Sequence, residues 1–147
     1  MAITRFAEVT WGGDLASGAG LITYVSSGAY TRLPVTWVAR TEAHEGKTSP
    51  EELIASAHAS CFSMAFGRRL AREGMPSERL DVRCEVTFGQ TDAGWRITHS
   101  ALTVRGRVPG IDEATFVRLA NESKDGCPVS QALKGNVEIT IDAALAE

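Results

Sequence analysis

Three cysteines, Cys61, Cys84 and Cys127, are the side chains best suited to covalent chemistry in this 147-residue sequence. An odd number closes no disulfide framework, so in a reducing compartment at least some of them stand as free thiols. Their settings differ. Cys84 alternates with Val82, Val86 and Phe88 on the apolar side of a strand pattern, which is how an inert core thiol looks. In Gly126-Cys127-Pro128 the second thiol stands at a helix start, where free amides and the helix dipole favour a thiolate. An isolated Cys-Pro would be read as a small capping residue; a second cysteine in mid-helix argues for more. That cysteine, Cys61, sits where burial alone raises a thiol pKa, so it needs a nearby cation to react. Arg40 is the only arginine between the third strand and this helix, and chain order permits the contact. Glu51 lies ten residues before Cys61, about 15 Å along a helix at 1.5 Å per residue. It must therefore act through Arg40 or across a subunit interface.

Other constellations do not complete. Gly46-Lys47-Thr48 before a helix lacks the earlier glycine of a phosphate loop, since Thr41 stands there. His44-Glu45 begins like a zinc-protease motif, yet position 48 is Thr. His58 and Cys61 are one helical turn apart and could share a metal, but His44 and His99 form no second well-spaced pair, so no metal and no cofactor is expected. His58 reads as a packed or hydrogen-bonded core histidine, and His99 as a strand residue with no evident partner.

The elements that must position these residues are well punctuated. Ile3 to Trp11, Leu21 to Val25 and Leu33 to Ala39 read as an antiparallel meander with turns at Gly12-Gly13-Asp14 and Ser26-Ser27-Gly28. Ser49-Pro50-Glu51-Glu52 supplies an N-cap, a proline at N1 and the Glu of a capping box. Arg68, Arg69 and Arg72 near the other end, then Gly74 and Pro76, bound a helix over about 50 to 73. Between those ends apolar or small residues occur on every side, so this helix is expected to be buried all round. Asp81 to Phe88 alternates as a half-buried strand, and Trp95 to Val108 is a strand whose apolar phase switches, predicting a bulge near Ser100. Asp112 caps a second helix, stapled by Ile111 and Phe116, that ends near Gly126; Cys127-Pro128 opens a third to about Lys134. Val137, Ile139, Ile141, Ala143 and Leu145 line one face of a last strand. The order is β-β-β-α-β-β-α-α-β.

Helices set between runs of strands give an α+β fold with antiparallel sheets and a long buried central helix, in a single domain over residues 1–147. One small sheet cannot cover a helix that is apolar on all sides, so an obligate homodimer is expected. Fifteen Lys and Arg against eighteen Asp and Glu, mixed along the chain, offer no nucleic-acid footprint. The start of the chain has no apolar signal core, and the apolar run Leu53 to Phe66 is too short to span a bilayer, so neither secretion nor a membrane location is expected.

Two long segments in the right order, Thr48 to Ala65 (TSPEELIASAHASCFSMA) and Gly126 to Gln131 (GCPVSQ), resemble the OsmC/Ohr family of hydroperoxide reductases. Trp11-Gly12-Gly13-Asp14 and Val108-Pro109-Gly110-Ile111-Asp112 fit its OsmC branch, so the likeness spans nearly the whole chain. The resemblance implies a cytoplasmic, thiol-dependent peroxidase, an intertwined α+β homodimer that reduces organic hydroperoxides to alcohols and is recycled by an external dithiol, such as a lipoylated protein. It implies Cys61 as the peroxidatic cysteine, Cys127 as the resolving one, Arg40 as the active-site arginine and Glu51 as its partner. Phe62, Met64 and Phe66 are expected to give the site an apolar lining. Two other readings stand beside it: a dimeric binding or stress protein of the same fold without peroxidase turnover, and a thiol–disulfide oxidoreductase acting on proteins, for which a C-x-x-C motif is lacking.

Overall fold

A computed structural model describes all 147 residues, which divide into two compact units, Met1–Leu53 and Ile54–Glu147. The first unit is built on a three-stranded antiparallel sheet in the order β1 (Ala7–Gly12), β2 (Ala19–Val25), β3 (Leu33–Val35). Trp11 pairs with Gly20 and Leu21 with Pro34, and the β1–β2 register slips once, between Glu8 and Val9. Ile22 and Val25 are buried, whereas every residue of β1 is exposed.

The third strand is shorter than the sequence suggested. Val35-Thr36-Trp37-Val38 has the composition of a strand, yet a short helix α1 (Trp37–Thr41) begins there. The Thr36 hydroxyl accepts the Ala39 amide at 3.1 Å, and this local capping bond outcompetes strand propensity. The observed order is thus β-β-β-α-α-β-β-α-α-β. Arg40 consequently sits in the last turn of a helix rather than at a strand end.

Helix α2 (Pro50–Arg72) starts in the first unit and continues through the second. The Ser49 hydroxyl accepts the Glu52 amide at 3.2 Å, with Pro50 at the first helical position, as the sequence pattern requires. Its buried residues beyond the first turn are His58, Phe62, Phe66 and Leu70, one stripe at four-residue spacing. Ser56, Ala57 and Ser60 are exposed and Met64 is 70% exposed. Within one chain, then, α2 is not buried all round: small and apolar residues leave one face uncovered.

The second unit carries β4 (Arg79–Thr91), β5 (Gly94–Arg107) and β6 (Glu138–Leu145), with β5 central. β4 and β5 pair antiparallel; β6 joins β5 in parallel, which corrects the expectation of purely antiparallel sheets. The reason is the crossover. After β5 the chain passes through α3 (Glu113–Gly126) and α4 (Pro128–Leu133) and returns to the starting end of the sheet, and such a connection delivers a parallel strand. The bulge falls at Thr98, where Thr87 faces His99 but Phe88 faces Ile97, two residues from the expected place.

The core of this unit joins α2, β5 and α3. Phe62, Phe66, Leu70, Leu102, Val104, Phe116 and Leu119 are essentially inaccessible to solvent. Phe66 packs edge-on against Phe116 with ring centroids 5.1 Å apart. Gly106 permits this approach, because a β-carbon there would stand 2.5 Å from the Phe116 ring. Asp112 caps the start of α3 by accepting the Thr115 amide at 2.9 Å, and the last residue of the helix, Gly126, leads into Cys127, which packs in one core cluster with Phe62 and Phe66 of α2.

Candidate active site

Helix α2 contributes Cys61, one position before the buried Phe62, so its sulfur lies at the edge of the core and is partly accessible. Cys127 comes from the junction of α3 and α4. It is the N-cap of α4, in extended backbone conformation, and its side chain caps no amide of that helix. Cys127 is fully buried and belongs to the same core cluster. The two thiols, from elements far apart in sequence, are neighbours: Cys61 packs against the cluster that contains Cys127, close enough for the Cys127 thiol to act on its ionisation.

Burial pushes the Cys61 thiol up from its ordinary pKa, and the neighbouring Cys127 thiol adds to the rise. Against these, the Val129 backbone amide at the start of α4 favours the thiolate. The balance leaves Cys61 protonated near neutral pH within this unit, in line with its need for a cation. Beside it opens a cleft of about 500 Å³ lined by Cys61, Met64, Ala65, Pro128, Arg68 and Arg72 among others. Phe62 and Phe66 do not line it. They lie on the buried stripe of α2, so of the three expected apolar lining residues Met64 alone faces the cleft.

In the first unit, Arg40 and Glu51 form a fork. Arg40 Nη2 donates to Glu51 Oε1 at 2.7 Å, and Nε donates to both carboxylate oxygens at 3.1 Å. The Glu51 side chain is 10% exposed and that of Arg40 26%, a part-buried bidentate pair. The guanidinium carbon also lies 6.0 Å from the centre of the Trp37 ring, one turn earlier in α1. A guanidinium held this rigidly is preorganised to meet an anion.

Sequence reasoning left two groups unassigned that are woven into the second unit. His58 is fully buried, with Nδ1 2.7 Å from Ser100 Oγ and Nε2 2.8 Å from Ser130 Oγ. Burial lowers its pKa, so the ring is neutral and offers one donor and one acceptor to the two hydroxyls. Cys84 Sγ lies 3.3 Å from the same Ser100 Oγ, and burial raises its pKa, which keeps it an unreactive thiol. Ser130 belongs to the motif that contains Cys127, the one signal that could have paired it with His58. His99, which showed no partner in sequence, reaches Thr140 Oγ1 at 2.9 Å on the adjacent parallel strand.

An α+β fold that brings two distant free thiols together beside an open cleft defines a class: a thiol-based redox protein. Residues 43–142 match the model of the OsmC-like protein family, and this chain belongs to that family. It is 41% identical, over 99% of both chains, to peroxiredoxin OsmC of Escherichia coli strain K12. It is 32% identical to the organic hydroperoxide resistance protein of Xanthomonas axonopodis pv. citri, covering 66% of this chain and 67% of that protein. The fold superposes on the crystal structure of an organic hydroperoxide resistance protein from Elizabethkingia anophelis with a TM-score of 0.75 at 20% identity, over 99% of this chain and all of that one.

Proposed function

We infer that this chain is a cysteine-based peroxidase that reduces organic hydroperoxides to alcohols. The observation that carries the reading is the proximity of two free thiols, Cys61 packed against the core cluster that contains Cys127 and close enough for the Cys127 thiol to raise its pKa. The Cys61 thiolate attacks the terminal peroxide oxygen; the O–O bond breaks, the alkoxide takes a proton and leaves as alcohol, and Cys61 becomes a sulfenic acid. The Cys127 thiol then attacks that sulfur, releasing water and forming a Cys61–Cys127 disulfide. An external dithiol, such as a lipoyl group carried by a protein, reduces the bridge by exchange and is itself oxidised to a disulfide.

Ionising Cys61 requires a cation, and the Arg40–Glu51 fork is the candidate. It reaches that sulfur from a second copy of the chain. When two α2 helices cross antiparallel near Ser56, position 51 of one lies opposite position 61 of the other, because each stands five residues from the crossing. The exposed Ser56, Ala57 and Ser60 are small enough for close helix approach, and Met64 beside them is an apolar side chain in need of cover. In this homodimer Arg40 of the partner subunit stabilises the thiolate and the charge developing on the leaving alkoxide, oriented by the partner's Glu51. The site of action is the cytoplasm, where thiols are kept reduced.

The test is consumption of cumene hydroperoxide in the presence of a dithiol. Cys61→Ser abolishes it, whereas Cys127→Ser consumes about one equivalent and traps a sulfenic acid. Full turnover by Cys61→Ser contradicts the assignment, and disulfide exchange without peroxide consumption favours a protein oxidoreductase instead.

A further inference from the structure

We propose that His58 is a positioning residue that holds the two thiols in register, through its hydrogen bond to Ser130. The inference rests on the peroxidase reading above. His58 is three residues before Cys61 on α2, and Ser130 is three residues after Cys127 on α4, so the bond between them links the turn beside one sulfur to the turn beside the other. Both side chains are buried, His58 completely and Ser130 at 3% exposure, and every buried side-chain polar atom of the chain has a partner.

Helix α4 needs such an anchor. It has six residues, and the side chain of its N-cap makes no capping bond, so little within the helix itself fixes where its first turn sits. The other ring nitrogen, bonded to Ser100 on β5, fixes the imidazole against the sheet. The ring is thus a rigid strut from β5 past α2 to α4. A neutral imidazole suits this, since its one donor and one acceptor match two hydroxyls that can each rotate to serve.

A strut between the thiol-bearing turns acts on the resolving step more than on the first. Attack on the peroxide needs Cys61 and its cation; formation of the disulfide needs Cys127 brought to bonding geometry, with α-carbons within about 7 Å. Loosening α4 therefore leaves the sulfenic acid waiting, and a second peroxide molecule can oxidise it to the sulfinic acid.

Single-turnover mixing of the reduced protein with one equivalent of cumene hydroperoxide, followed by mass spectrometry, separates the steps. Ser130→Ala consumes the hydroperoxide at a rate within about twofold of wild type but forms the disulfide about tenfold more slowly, the effect expected of one lost buried hydrogen bond. At ten equivalents of hydroperoxide it accumulates sulfinic acid. Ser130→Thr, which keeps the hydroxyl, restores disulfide formation; so does His58→Gln, whose amide nitrogen can stand near the place of Nε2, while His58→Leu does not. Disulfide formation by Ser130→Ala at the wild-type rate, or equal slowing of both steps with no rescue by either conservative variant, overturns the positioning role alone. A wild-type protein that consumes hydroperoxide without bridging Cys61 and Cys127, or that consumes none, overturns the peroxidase mechanism and the role with it.

Discussion

A thiol at the edge of a hydrophobic core is a weak nucleophile until something ionises it, and Cys61 shows both sides of that balance. Burial and the neighbouring thiol hold its proton on; the Val129 amide pulls the other way but does not win. In the proposed site a guanidinium supplies the difference, and the candidate is Arg40, forked onto Glu51 with its guanidinium carbon 6.0 Å from the Trp37 ring centre. His58 is another residue whose protonation is set by burial, and its effect is on stability. Its folded-state pKa is lowered from about 6.5, so below that pH the unfolded chain binds a proton that the native state refuses. Its contribution is complete above about pH 6.5 and is lost progressively as pH falls toward the folded-state pKa. The acidic groups with lowered pKa values, Asp14, Asp81, Glu85 and Asp112, exert their effect at more acidic pH, in the carboxylate range. Urea denaturation should therefore give a lower midpoint at pH 5 than at pH 7.5, with a smaller fall in His58→Gln. Equal midpoints at the two pH values in the wild type would contradict this account of the ring.

Helix α2 shows how one element serves three purposes. The stripe from His58 through Phe62 and Phe66 to Leu70 packs the core; Cys61, Ala65 and Arg68 face the cleft; Ser56, Ala57 and Ser60 remain uncovered. The sequence pattern, apolar or small on all sides, is legible as an excess of apolar faces over what one chain buries. The second subunit is the proposed cover for the remaining face. A charge introduced there would have to be buried unpaired in the dimer, at a cost of several kcal/mol. Met64→Glu should accordingly sediment as a monomer and lose turnover, because Cys61 then loses the partner's Arg40, while Met64→Leu should remain a dimer. A wild-type chain that sediments as a fully active monomer would remove the cross-subunit site.

At the scale of the whole chain, the elements with strong punctuation were readable from the sequence to within a few residues. Ser49, whose hydroxyl accepts the Glu52 amide while the Glu52 carboxylate accepts from Thr48 rather than from Ser49, marks the start of α2, Asp112 the start of α3 and Cys127-Pro128 the start of α4. Three things were not readable, each for a physical reason. Thr36 is β-branched and yet caps a helix, and its composition argued for the strand. Alternation along the last strand states which face is apolar but not which neighbour it joins or in what direction, although the two helices before it were a sign of a crossover. The His58–Ser130 bond joins positions on two helices that no local pattern relates, and only folding shows them to be neighbours. The proposed pairing of Cys61 with Cys127 rests on motif resemblance; their separate local settings did not require it.

The reading turns on peroxide converting these two thiols, and no others, into a bridge. The most direct measurement treats the fully reduced protein with one equivalent of cumene hydroperoxide, blocks the remaining thiols by alkylation and maps the peptides by mass spectrometry. A Cys61–Cys127 disulfide in near-stoichiometric yield, with Cys84 alkylated, is the predicted result. A bridge that includes Cys84, or protein that keeps all three thiols while the hydroperoxide disappears, would contradict it.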